Sequence, residues 1–161
     1  AGVSQAAPYY HFSDKDTLLA SVAAEGFREL MATMHQYAEA APSALHRLQQ
    51  LGIGYVVFAV QNAAVFRLMQ GPYFEDPEKY AFLQSAADES QTALKAAVSE
   101  HIPKASDSQL EMACAAAWSL VHGAAVLCMD QRMAHVTGID DVEEVARQIT
   151  RQLEFSKALT L

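Results

Sequence analysis

Positive charge is scarce in this chain: 11 Lys and Arg stand against 19 Asp and Glu, a formal net charge of -8. That balance favours solubility and excludes a general basic coat, so any contact with nucleic acid has to be local. Cysteine is nearly absent. Cys114 and Cys128 are the two in 161 residues, and on one helix they stand about 21 Å apart along the axis, too far to bridge each other. Two unpaired thiols without a secretory signal point to a reducing cytoplasm. With 7 Gly and 5 Pro in a chain that is 52% apolar and 19% charged, collagen-like, disulfide-stapled and disordered classes are excluded. His11, His35, His46, His101, His122 and His135 are scattered singly. The chain has no His-Glu-x-x-His, no Cys-x-x-Cys and no glycine-rich phosphate loop after a strand, so neither a metal nor a cofactor is expected.

What the chain does have is apolar sequence at helical spacing, and no stretch alternates like a half-buried strand. The reading is all-α, a helical bundle long enough to bury a core without staples. Leu48 to Phe66 (19 residues) and Met112 to Met129 (18 residues) carry no charge, which is near the length of a membrane span. Gln49, Gln50, Gln61 and Asn62 interrupt the first, and alanines, Ser119 and His122 dilute the second. Both read as buried helices of a soluble bundle, with no membrane partner.

Start and stop signals divide the chain. A short helix follows Ser4, and a long one opens at Ser13 with Asp16 as its capping partner, carries Leu19, Phe27, Leu30, Met31 and Met34, and stops before Pro42. Ser43 starts a third, through Leu48, Leu51, Tyr55 and Phe58, and Asn62 restarts the chain toward Phe66 and Met69 before Gly71-Pro72 breaks it. Pro77 suits the first turn of the next helix, which Pro103 closes. Ser108 with Glu111 predicts the start of a long apolar helix to about Ala134, with Gly138 as the stop. Asp140 with Glu143 opens the last helix, where Val142, Val145, Ile149 and Leu153 form one stripe and Arg147, Arg151 and Lys157 follow the helix dipole.

The N-terminal run from Ala1 to Leu19, with its Gly-Val-Ser turn, its Tyr9-Tyr10-His11-Phe12 and its Ser13-x-Lys15-x-x-Leu18-Leu19, resembles the second half of the DNA-binding domain of the tetracycline repressor (TetR) family. Far downstream, Trp118-Ser119-Leu120-Val121-His122-Gly123 resembles the Trp…His-Gly signature of the WHG-type C-terminal domain of one branch of that family. The Ala7-Pro8-Tyr9 and Glu25-Gly26-Phe27 pieces fit the same branch. The resemblance implies a helix-turn-helix whose first two helices precede Ala1, so this chain by itself is expected to bind DNA poorly. Residues 1–40 would be the remainder of the DNA-binding domain and its connecting helix, and residues 41–161 a ligand-binding and dimerisation domain.

On that resemblance, Ser4 and Gln5 face bases or nearby phosphates, Tyr9 and Tyr10 offer hydroxyls to phosphates, and Lys15 adds charge beside free backbone N–H groups. Against this, one of the two tyrosines can pack the small domain's core, Phe12 and Leu18 read as core, and Pro8 shapes the helix. Tyr55, Phe58, Gln61, Phe66, Met69, Phe82, Trp118 and His122 are the candidate ligand-binding residues, with Tyr73 and Phe74 nearby; any one of these large side chains also suits a plain core. Gly123 with Val142, Val145, Ile149 and Leu153 is the candidate homodimer interface, a stripe that a single chain's core could use equally. The function implied is a ligand-responsive transcriptional regulator, a homodimer released from operator DNA by a small, largely apolar ligand. The alternatives are an all-α enzyme using His122 with Asp130 nearby, and a ligand-carrying or adaptor bundle with no DNA role.

Overall fold

The computed structural model describes residues 15–71 and 78–154, and these form seven α-helices with no strand among them. Helix α1 (Lys15–Ala38) buries Ala20, Ala23, Phe27, Leu30, Met34 and Ala38, spaced three to four apart so that they fall on one face. Ser43 caps α2 (Ala44–Gln61), its hydroxyl accepting from the His46 N–H at 3.3 Å. Every residue from Leu51 to Ala59 is buried. A helix apolar on all sides belongs at the centre of a bundle, and α2 is packed against α1, α4, α5 and α7. Gly54 permits the closest of these approaches: a Cβ there would lie 2.8 Å from the Met34 Cα of α1. The helix interior accepts a residue that costs about 1 kcal/mol in propensity because nothing larger fits between the two backbones.

After Asn62 the chain bends by 109° into α3 (Ala63–Met69). Helix α4 (Ala81–His101) lies against α1, α2 and α5 (Asp107–Met129), and α6 (Arg132–Thr137) and α7 (Val142–Thr150) complete the chain. By length and composition α5 is apolar enough to cross a membrane, as α2 and α3 together would be if the bent pair were one span; 33% of the most apolar stretch of α5 is buried here.

Several boundaries differ from the sequence reading. The short helix after Ser4, the Ser13 cap and Pro77 lie outside the described residues, and α4 starts at Ala81 behind Tyr80. Helix α5 is capped two residues earlier than expected: the Ser106 hydroxyl accepts from the Gln109 N–H and the Gln109 side chain accepts from the Ser106 N–H, whereas Ser108 is already inside the first turn. The same helix does not run to Ala134. It ends at Met129, because Gln131 takes a left-handed φ of 58° that no helix can continue through. The side chain of Asp130 at this corner is held by Arg67 of α3 at 2.9 Å. Asp141, not Asp140, caps α7, accepting from the Glu143 N–H at 2.9 Å.

The largest difference concerns the stripe on α7. Val145 and Leu153 are 3% and 2% exposed within the single chain, and Val142 and Ile149 pack against the same core. Thr150 beside them presses its methyl to within 2.8 Å of where a Cβ on Gly52 would stand, so α7 closes the core over α2. Tyr37 of α1 adds a polar tie, its hydroxyl donating to the Glu143 carboxylate at 3.1 Å. The stripe thus faces the core of its own chain, with Val145 and Leu153 buried, Val142 and Ile149 half-buried, and Leu153 just past the end of α7.

Candidate functional site

The void of interest lies between α1, α2, α4 and α5 and has a volume of about 320 Å³. That is at the lower end of the range for small-molecule sites. Its walls follow from the helix faces already described. Phe27, Leu30 and Met34 come from α1, Leu48, Leu51, Gly52 and Tyr55 from α2, Met69 from α3, Ala117, Trp118 and Val121 from α5, and Leu153 closes the far side. The α4 wall is different in kind. Gln84, Asp88 and Gln91 recur at helical spacing beside Ala87, Ser90 and Leu94, and Gln70 joins them from the end of α3. An apolar floor under a polar edge is the usual composition of a ligand pocket.

One end of the cavity is an aromatic cluster held by a single hydrogen bond. Tyr55, 7% exposed, has its hydroxyl 2.9 Å from His122 Nδ1. Burial pushes the phenol up to about 12, with the Trp118 indole acting more weakly in the opposite sense. Burial also lowers the His122 imidazole below the ordinary histidine value. Both groups are therefore neutral near pH 7. The rings pack to match: Phe66 meets Tyr55 edge-on at 5.5 Å, and His122 lies 5.7 Å from Phe66 and 5.9 Å from Trp118. Trp118 is thereby fixed as a wall of the cavity, one turn from His122 on the same face of α5. Gly123 points elsewhere, for a Cβ there would meet nothing within 4 Å.

A consequence for pH follows. His122 takes its proton more readily unfolded, near the ordinary value of 6.5, than folded, where burial opposes the charge. Its contribution is fully present above that value and is lost as the pH falls below it. The urea midpoint should therefore drop between about pH 7.5 and pH 5, and a His122→Gln chain, which keeps an acceptor for Tyr55, should lose part of that slope. Identical slopes in the two chains would show that His122 titrates alike folded and unfolded.

Of the candidate ligand residues, Tyr55, Met69 and Trp118 line the cavity, and Phe66 and His122 stand against Tyr55 at its aromatic end. Phe58 is 2% exposed and belongs to the core. Gln61 is exposed at the end of α2, and Phe82 is 39% exposed on α4; neither borders the cavity. Tyr73 and Phe74 lie outside the described residues, as do Ser4, Gln5, Tyr9 and Tyr10, while Lys15 is the exposed first residue of α1. The acid considered for His122, Asp130, is paired with Arg67 instead. Among the described residues no three His, Cys, Asp or Glu side chains gather as a metal site. The spacing of Phe27, Leu30 and Met34 marked a core face without marking a void. The Gln84, Asp88, Gln91 row could have been found as a polar stripe beside Leu94.

Comparison with known proteins agrees with this architecture. The family described as tetracyclin repressor-like, C-terminal domain, matches residues 48–153. A solved structure of a protein with unknown function from Rhodococcus sp. RHA1 superposes with a TM-score of 0.78 at 26% identity, over 99% of this chain and 80% of that one. No curated protein matches the chain. The match spans well over half of the residues and takes in α2 to α7, so the chain belongs to the family of tetracyclin repressor-like C-terminal domains.

Proposed function

We propose that this chain is the sensing part of a ligand-responsive transcriptional regulator, in which a small, largely apolar molecule enters the α1/α2/α4/α5 cavity and alters DNA binding. The observation that carries the reading is that α1 supplies both ends of the coupling. Phe27, Leu30 and Met34 form one wall of the cavity, and the same helix begins at Lys15, inside the Ala1 to Leu19 run that resembles part of a helix-turn-helix domain. A ligand that fills the void bears on α1, and the equilibrium shifts to the extent that it binds one placement of α1 more tightly than another. Residues 1–40 would carry the remainder of the reading head and residues 41–161 the sensor, with α1 shared between them, its buried face being part of the bundle core. Covalent chemistry is absent from the mechanism, and the resulting regulator is a repressor released by its ligand.

The test is retention of genomic DNA fragments by the gene's full-length product. A discrete, two-fold symmetric fragment should be retained and then released by a compound that alters Trp118 fluorescence. Binding of such a compound with no retained fragment in its presence or absence would favour the ligand-carrying bundle instead.

The homodimer belongs to this proposal, with its surface moved from α7 to α5. Met112 (68% exposed), Val126 (37%) and Leu127 (39%) share an outer face of α5 with Ala116, Ser119 and Gly123, and this face bears no charge between Met112 and Leu127. Gly123 at its middle leaves room for a second helix to approach. An isologous contact would bring two copies of any added charge together. Gly123→Arg should therefore turn a dimer into a monomer in sedimentation at micromolar concentration, with a fall in melting temperature no larger than the lost association accounts for. Ile149→Arg should lower the melting temperature whatever the oligomeric state, since Ile149 packs against the core.

A further inference from the structure

The charge distribution around the cavity narrows the class of ligand. Among the described residues that line it, Asp88 is the one that carries a charge, and no Lys or Arg borders the space. Asp88 stands exposed on the α4 edge, at the rim of the cavity, with one carboxylate oxygen held by the Gln84 side-chain amide at 2.8 Å. A carboxylate has acceptor capacity well beyond one such bond. Across from it the walls offer the rings of Phe27, Tyr55 and Trp118 and the thioethers of Met34 and Met69, whose π faces and polarisable sulfurs attract cations and apolar groups and give an anion nothing. Arg67, on the same helix as Met69, is engaged with Asp130. An organic anion entering this space would lose its hydration without gaining a counter-charge, whereas a cation would gain one.

We propose that the molecule sensed here is an organic cation, an aryl or alkyl body bearing an ammonium group, with the body on the Leu30, Leu51 and Val121 floor and the charged head between Asp88 and the aromatic wall. The inference rests on the reading of this cavity as a ligand site. It goes further in assigning the charge of the ligand and naming Asp88 as the residue that selects it.

The chain holds a single tryptophan, Trp118, and that residue lines the cavity, so intrinsic fluorescence reports occupancy directly. Three probes of matched shape suffice: a phenylalkyl trimethylammonium ion, its uncharged tert-butyl isostere, and the corresponding phenylalkyl carboxylate. The ammonium probe should bind the wild-type chain about tenfold or more tighter than the isostere, and the carboxylate weakest of the three. In Asp88→Asn that preference should disappear while the isostere binds as before. Glu89→Gln removes an equal charge from the next, equally exposed position, which does not line the cavity, and should keep the preference, which separates local recognition from the general attraction of an acidic chain. Equal binding of ammonium ion and isostere by the wild type, or a preference that survives Asp88→Asn, would overturn the inference while leaving the cavity a ligand site. No fluorescence change with any of the three would overturn both.

Discussion

Truncation of Phe66 to alanine should cost about 3–5 kcal/mol of unfolding free energy, the range for removing a fully buried aromatic ring. Phe66 is 1% exposed, meets Tyr55 edge-on at 5.5 Å and faces His122 at 5.7 Å. It therefore supports the back of the aromatic end of the cavity as well as the core. Against a typical total stability of about 5–15 kcal/mol, such a loss is read directly as a fall in the urea midpoint. Phe58→Ala, at 2% exposure, should cost a similar amount. The two variants should then part company in ligand binding. Without Phe66 the Tyr55 and His122 rings lose a packing partner, so Trp118 is held less firmly and probe affinity should fall. Phe58 does not border the cavity, so the folded fraction of its variant should bind as the wild type does. A loss below about 1 kcal/mol for Phe66→Ala would mean that the site relaxes around the missing ring.

The contrast between these phenylalanines shows what the sequence can convey. Most of the helix order was legible from local signals such as Ser43 as a cap and the apolar rows of α1 and α2, whereas Gly138, expected to stop the long apolar helix, ends the separate α6. The boundaries moved where two local signals competed. Ser106 with Gln109 and Ser108 with Glu111 both offer a capping pair, and the choice between them depends on backbone geometry. The end of α5 depends on Gln131 adopting a left-handed conformation, which its side chain does not announce. The candidate site was legible in part. Tyr55, Met69, Trp118 and His122 come together as expected because they project from facing helices, yet Phe58 has the same composition and spacing and faces the core. The α7 stripe was ambiguous for the same reason: Val142, Val145, Ile149 and Leu153 read as one apolar face, and periodicity does not say whether that face meets α2 or another chain. The polar row on α4, Gln84, Asp88 and Gln91, is solvent-exposed and borders the cavity as well, a dual position that spacing alone does not convey.

Enlarging a wall residue into the void provides the sharpest separation of cavity from core. Leu94 lines the cavity from α4, so the existing space of about 320 Å³ can take up the added volume of a tryptophan there without displacing packed neighbours. In a tightly packed core the same change would be expected to destabilise by about 1–3 kcal/mol. Here the added ring gains contacts with the apolar floor, and the chain should gain about 0.5–2 kcal/mol, the range for cavity-filling substitutions. Probe binding should move the opposite way. With the space occupied, affinity for the ammonium ion and for its uncharged isostere should fall on the order of tenfold or more, and by similar factors for both, because the block is steric and Asp88 is untouched. The second tryptophan would obscure the fluorescence of Trp118, so binding is read by titration calorimetry and stability by thermal melting. A Leu94→Trp chain that melts lower and still binds the probes would show that the void closes or lies elsewhere in solution. One that melts higher and no longer binds would tie the stability of the bundle and the ligand to the same space, and would fix α1 in a filled-cavity placement without any ligand present.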